Sequence, residues 1–284
     1  MSRESRKRRR APTGKGREVL IHPDETRDRL TSKVRIIQKR RGHRAASDDT
    51  LLAWAAARAC PDAVRILDLG SGKGTVAMLL LQRLPRCRVI GLEALKVGHN
   101  LAVRNMLLNG LADRWQPRLG DLRDPSVLAP ESSFDLVTGA PPFMPVGSGV
   151  MPANAQRAAG RFELRGGVRE YAEAAARHLA PLGRVVFLMD GLGRSRARAE
   201  QAFAASGLFP RAIVAIRPCP ARNPIYWILE ASSEPGPSTE ESLAMRHAGG
   251  NRFSPEYEAI RRDMDCAADP QDSVPGYTVP ILSR

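Results

Sequence analysis

Cysteine is scarce in this chain, and the few residues present do not cluster. Cys60, Cys87, Cys219 and Cys266 are the four cysteines in 284 residues, with no CxxC pair and no accompanying group of histidines. Such spacing indicates neither a zinc site nor a disulfide framework, and it fits a reducing cytosol. Long apolar runs are missing too. No stretch of about 18 apolar residues occurs, and the arginine-rich start is not followed by a short apolar segment, which argues against membrane spanning and against a secretion signal. The expectation is a cytoplasmic protein without a metal and without a membrane partner. A Walker phosphate loop is also lacking, because Lys73 is followed by Gly74 rather than Ser or Thr and no glycine stands at the required earlier position.

Acidic residues are outnumbered, 30 Asp and Glu against 44 Lys and Arg, for a net charge of +14. A polyanionic partner such as nucleic acid, or an anionic surface, follows from that excess. Its distribution narrows the inference. Residues 1–44 hold sixteen Lys and Arg against five Asp and Glu, a net +11 of the +14, so the remainder of the chain carries only +3. The basic character belongs to the N-terminal segment.

Residues 1–17 are basic and poor in large apolar side chains, which reads as a disordered tail. Apolar residues return among charges over 18–46, a small cap ahead of the core. Ser47 is placed to cap a helix running through Cys60, with Asp48 and Asp49 in its first turn near the positive end of the macrodipole. Strand-like runs at Val64–Leu69, Arg88–Glu93, Trp115–Asp121, Phe134–Thr138 and Arg184–Asp190 then alternate with helix-length segments at Thr75–Leu84, Leu95–Asn109, Val168–Leu179 and Arg194–Ser206. Such alternation predicts an α/β fold with a mostly parallel sheet and helices on both faces. Arg211–Arg217 and Ile225–Glu230, separated only by Pro218–Pro224, are close enough to form an antiparallel hairpin at the C-terminal edge. The catalytic domain is expected over 47–231. Residues 143–167, rich in Gly, Pro and Ala, leave the end of the fourth strand as a candidate substrate loop. A largely irregular extension, 232–284, is expected to hold one helix at Pro255–Asp263 capped by Ser254.

Chemistry concentrates at Asp68-Leu69-Gly70-Ser71-Gly72-Lys73-Gly74, a buried strand's end followed by alternating glycines before a helix. Glycines there let backbone N–H groups and a helix N-terminus approach a nucleotide-like ligand. A dinucleotide fits the acid Glu93 at the end of the second strand. Against it stands Asp68: a carboxylate before the glycines repels a pyrophosphate but attracts the ammonium and sulfonium of S-adenosyl-L-methionine.

This segment resembles motif I of the Rossmann-like (class I) methyltransferases. Glu93 is similar to their ribose-binding acid, and Gly120-Asp121 to the element contacting the adenine of the cofactor. The resemblance implies a seven-stranded sheet with an antiparallel final strand, and a cofactor site at Asp68, Gly70, Ser71, Gly72, Gly74, Glu93 and Asp121. Gln38 to Arg44, followed by Asp48, Leu51 and Leu52, resembles the entry segment of bacterial tRNA adenine-N6 methyltransferases. Ala102-Val103-Arg104-Asn105 through Asn109-Gly110-Leu111 is similar to the helix after the second strand in the same group. Thr138-Gly139-Ala140-Pro141-Pro142-Phe143 falls where those enzymes carry Asn-Pro-Pro-Tyr/Phe, and Arg252 to Tyr257 is faintly like their C-terminal tail.

The resemblance implies methyl transfer to an amine nitrogen of structured RNA, tRNA first, over Ala140, Pro141, Pro142 and Phe143. Ala140 departs from the pattern, for it lacks the side-chain acceptor that the usual asparagine offers to a planar NH2 group. A protein amide or small-molecule amine is the alternative acceptor, and a non-catalytic RNA-binding module the further one. Arg40, Arg41, Arg44, Arg157 and Arg161 are the candidate contacts to phosphates, and in the substrate loop Arg165 and Arg169 alternate with Phe162 and Tyr171, where arginines can meet phosphates and aromatics can stack on bases. No oligomeric state is implied.

Overall fold

The computed structural model describes residues 19–128, 133–250 and 252–266. The basic tail of 1–17 and the end of the C-terminal extension lie outside the described residues. The chain enters through a hairpin, β1 (Glu25–Arg29) and β2 (Arg35–Lys39), paired antiparallel as a separate two-stranded sheet. α1 (Ser47–Ala59) follows, then the strands β3 (Arg65–Leu69), β4 (Arg88–Glu93) and β5 (Trp115–Leu119), alternating with α2 (Thr75–Arg83) and α3 (Lys96–Leu108). β6 (Phe134–Gly139), α4 (Ala155–Arg161), α5 (Val168–His178), β7 (Leu179–Asp190) and α6 (Ser195–Ala205) come next. β8 (Phe209–Arg217), β9 (Tyr226–Ser232), β10 (Thr239–Ala244) and α7 (Pro255–Asp263) complete the order.

The main sheet has eight strands in the order β10-β8-β9-β7-β6-β3-β4-β5, with β9 alone antiparallel to its neighbours. Its central strands are apolar because both faces are covered: Ile66, Leu67, Leu136, Val137 and Phe187 are at most 1% exposed. The chain leaves β3 toward β4 on one side, while β6 pairs with β3 on the other. That reversal opens a crevice at the carboxyl ends of β3 and β6, where open α/β sheets bind ligands. Gly91 on β4 admits no side chain, since a Cβ there would come within 1.6 Å of the Trp115 ring on β5.

The N-terminal hairpin is tied to the core by polar bonds that the sequence does not advertise. Asn105, fully buried on α3, accepts from the Ile37 N–H at 2.6 Å and donates to the carbonyls of Ile37 and Lys73. One turn on, Asn109 exchanges the same pair of bonds with Arg35. Both asparagines thus complete the edge of β2, and Asn105 ties it to the glycine loop as well, because unmet buried backbone groups are costly. Glu25, 2% exposed, is held by Arg104 at 2.7 Å and Lys39 at 3.1 Å. The Arg104 hydrogen bonds lower its pKa to about 2.

Three expectations need correction. The main sheet has eight strands rather than seven, because β10 pairs parallel with β8 and covers the β8–β9 hairpin expected at the edge. Its Thr-Glu-Glu-Ser stretch is exposed, as edge strands tolerate, and so lacks an apolar alternation. α4 lies inside the segment expected to be loop, started by the Asn154 side chain accepting from the Arg157 N–H at 3.1 Å. α1 is preceded by Ala46, not capped by Ser47: the Ala46 N–H donates to the Asp49 carboxylate at 3.1 Å, so an acid one turn in does the capping work. α7 forms as expected, its Ser254 hydroxyl accepting from the Tyr257 N–H at 3.0 Å.

Candidate active site

The glycine loop closes a cleft floor between β3 and α2. Gly70 has φ +65°, and a Cβ there would meet the Tyr171 hydroxyl at 2.1 Å, so both conformation and space require glycine. Glu93 reaches across from β4 and accepts from the Gly72 N–H at 2.8 Å and the Leu95 N–H at 2.6 Å. One carboxylate therefore fixes the loop and the start of α3 together, while burial raises its pKa against those two bonds. Asp68 is 2% exposed. Its Oδ1 accepts from the Thr138 hydroxyl at 2.9 Å, whereas Oδ2 has no partner. Burial, with Asp49 and Glu93 nearby, pushes its pKa up to about 7. Ser71 Oγ is likewise buried without a partner.

Asp68, Gly70, Ser71, Gly72 and Glu93 line one cleft together with Ala140, Pro142 and Phe143 from the end of β6. Pro141 is buried beneath that wall rather than lining it. The Phe143 carbonyl accepts from Arg198 at 3.1 Å, and Arg198 also pairs with Glu163, which anchors this segment onto α6. Gly120 and Leu122 line the cleft, but the Asp121 carboxylate is turned onto Arg123 at 2.7 Å, which lowers its pKa. Gly74 stands just outside, at the start of α2 with φ +82°.

The arginines separate into two groups. Arg40, Arg41 and Arg157 line a shallow pocket beside the cleft, where the Asn154 amide donates to the Arg41 carbonyl at 2.8 Å. Arg44 does not join them, being paired with Asp28 on β1 at 2.8 Å. Arg161 and Arg157 act on His43 at the cleft wall, whose pKa is lowered by the crowding around it and by Lys73 and these two arginines. Arg165 lines the cleft and acts on Glu93 and Asp121.

Sequence reasoning passed over His43, Asp48, Asp49, Lys73 and Gln156, all of which line the cleft. Asp48 and Asp49 read as helix-start acids and Asp48 as part of the entry segment, while Lys73 reads as a member of the glycine loop with no role of its own. No signal in a single sequence places α1 beside α2. Among the described residues no group of three His, Cys, Asp or Glu side chains could hold a metal, and no helix is long and apolar enough to cross a membrane.

No protein-family model matches the chain. Over 226 residues it is 29% identical to the tRNA1(Val) (adenine(37)-N6)-methyltransferase of Porphyromonas gingivalis, covering 75% of this chain and 85% of that protein. The enzyme of the same name from Tolumonas auensis is 28% identical, covering 79% and 91%. A release factor glutamine methyltransferase from Geobacter sulfurreducens is 33% identical over 100 residues, 34% of this chain and 33% of that one. The fold is that of a predicted O-methyltransferase from Agrobacterium tumefaciens, with TM-score 0.58 and 20% identity over 78% of this chain and 99% of the other. The chain is a Rossmann-like S-adenosylmethionine-dependent methyltransferase.

The cleft of this methyltransferase suits that cofactor. Asp68 Oδ2 and Ser71 Oγ are buried acceptors left without donors, and such groups are costly unless a ligand's N–H or O–H completes them. A phosphate would instead face Asp68 and Glu93, two buried carboxylates.

Proposed function

We propose that the methyltransferase acts on the exocyclic amine of an adenine in structured RNA, with tRNA as the first substrate to test. The observation that carries this reading is a single cleft in which the acid-lined glycine loop faces Ala140, Pro142 and Phe143, with the Arg40, Arg41 and Arg157 pocket beside it. The two relatives similar over most of the chain are named for that chemistry.

In this reading Asp68 faces the cationic amino-acid end of the cofactor, Glu93 the ribose hydroxyls, and Gly120 with Asp121 the adenine. Gly70, Ser71, Gly72 and Gly74 bring backbone close beneath it. When bound, S-adenosylmethionine supplies an electrophilic methyl carbon. The protein's own part is positioning: Phe143 stacks on the acceptor base while Ala140 and Pro142, seated on buried Pro141, frame its amine, so the nitrogen lone pair is aimed along one line. Ala140 supplies no side-chain acceptor, and such a loss commonly costs about 1–3 kcal/mol, or roughly one to two decades in rate. Arg40, Arg41, Arg157 and Arg161 hold phosphates outside the cleft, joined by the basic residues of the N-terminal tail. The domain responsible spans 47–231, with 18–46 as its cap and 232–284 as an extension, and the protein works in the cytoplasm.

A second reading, methylation of a protein amide, is favoured by the glutamine methyltransferase similarity over 100 residues. Labelled methyl transfer to purified tRNA and to total protein, run side by side, decides between them. Label in RNA that vanishes after nuclease treatment supports the first reading, and label in protein alone refutes it.

A further inference from the structure

Four acids line the cleft, Asp48, Asp49, Asp68 and Glu93. They suit the cations of S-adenosylmethionine but oppose its α-carboxylate, so a cation has to stand where that carboxylate lies. Three basic side chains line the same cleft: His43, Lys73 and Arg165. Arg165 exerts its field on Glu93 and Asp121, the ribose and adenine end. Lys73 exerts its field on His43 and Asp48, at the opposite end.

Lys73 is unusual in its own right. It is 5% exposed, yet among the described residues its ammonium makes no hydrogen bond and no ion pair. Charged groups held in a largely enclosed cleft are normally paired, and an ammonium that lines the cleft wall without a protein partner is placed to meet a ligand there. Asp48 presents the complement: its Oδ1 is buried without a partner. α1 and α2 pack against each other, and the first turn of α1 and the loop opening α2 line one wall. Lys73 and Asp48 therefore share a wall, carry opposite charges and do not touch. A zwitterion fills such a gap.

We infer that Lys73 binds the α-carboxylate of the cofactor and Asp48 its α-ammonium, so the pair brackets the amino-acid end while Asp68 supplies negative charge beneath it. The assignment rests on the cofactor and is independent of the nature of the methyl acceptor. An RNA phosphate is the less suitable occupant for Lys73, because Lys73 sits on the glycine loop among Asp48, Asp68 and Glu93, which repel a phosphate, whereas Arg157 lines the basic pocket with Arg40 and Arg41.

Calorimetry with two probes tests it. S-Adenosylhomocysteine carries the amino-acid end, and 5′-methylthioadenosine has the same adenosine and thioether without it. Lys73→Met is expected to weaken S-adenosylhomocysteine about 10- to 100-fold, as loss of a charged hydrogen bond does, and to leave methylthioadenosine within about twofold. Lys73→Arg should recover part of the loss, and Asp48→Asn should weaken S-adenosylhomocysteine alone. Unchanged thermal unfolding of the variants guards against misfolding, and the arginine variant keeps the charge where the methionine variant fails. Equal weakening of both probes would mean that Lys73 merely supports the loop. Undiminished S-adenosylhomocysteine affinity, with or without reduced RNA affinity, would overturn the assignment.

Discussion

Over β3 and β4 the cleft is lined by the polar groups Asp68, Ser71, Lys73 and Glu93, each at most 9% exposed, whereas beyond β6 the apolar Pro142 and Phe143 share the lining with exposed Ala140 and Arg165, with arginine-rich α4 alongside. One end holds buried polar groups with bonds unmet, and the other is an apolar wall with a basic, exposed rim. A small, fully enclosed cofactor demands preorganised partners, while a large polyanion is gathered by charge and then oriented by a few contacts. The two ends should therefore fail separately.

Asp68→Ala gives the largest expected effect, a loss of about 100-fold in S-adenosylhomocysteine affinity by calorimetry, because a charged acceptor is removed from a buried site. RNA affinity measured in parallel should stay within about twofold, and a joint loss would break the separation of the two ends. Ala140→Asn sharpens it from the other side. Restoring the absent acceptor is expected to raise single-turnover methyl transfer to adenine about tenfold or more without altering cofactor affinity. No gain would point to an acceptor other than a base amine. Arg41→Glu with Arg157→Glu is expected to lower RNA affinity several-fold and to flatten its salt dependence, as read by filter binding at low and moderate salt.

The smallest effect is on stability against pH. Asp68 and Asp48 are each pushed up to about 7 in the free protein, chiefly by burial. Between about pH 4 and pH 7 the folded state then binds protons that the unfolded state has lost, so stability declines as pH rises through that window. Denaturant unfolding at pH 5 and pH 7.5 should show the folded state weaker at pH 7.5 by roughly 1–2 kcal/mol, within the limit of about 1.4 kcal/mol per group per pH unit. Asp68→Asn should reduce the difference. Glu25, lowered to about 2 by Arg104, acts in the opposite sense but only below about pH 4.5.

The buried strands were legible because their composition is the direct consequence of their position. β4 runs from Arg88 to Glu93 as expected, and β6 and α7 depart by a residue or not at all. The pieces that escaped are those whose partners lie far off in sequence. β10 is held by the neighbouring β8, and the β1–β2 hairpin by Asn105 on α3 and Asn109 just past its end. Neither source of order leaves an apolar period. In the cleft the same division holds. The glycine loop and Glu93 announce themselves because close backbone approach restricts which residues can stand there. Lys73, Asp48 and His43 acquire significance only when α1 folds beside α2, and Asp121 and Pro141, legible by motif, turn out to stand beside the cleft rather than on its wall.

The most direct measurement is nucleoside mass spectrometry of tRNA incubated with the purified protein and methyl-labelled S-adenosylmethionine. The account predicts one labelled product, N6-methyladenosine, abolished by Asp68→Ala. No labelled nucleoside, or label carried only on protein, would contradict it.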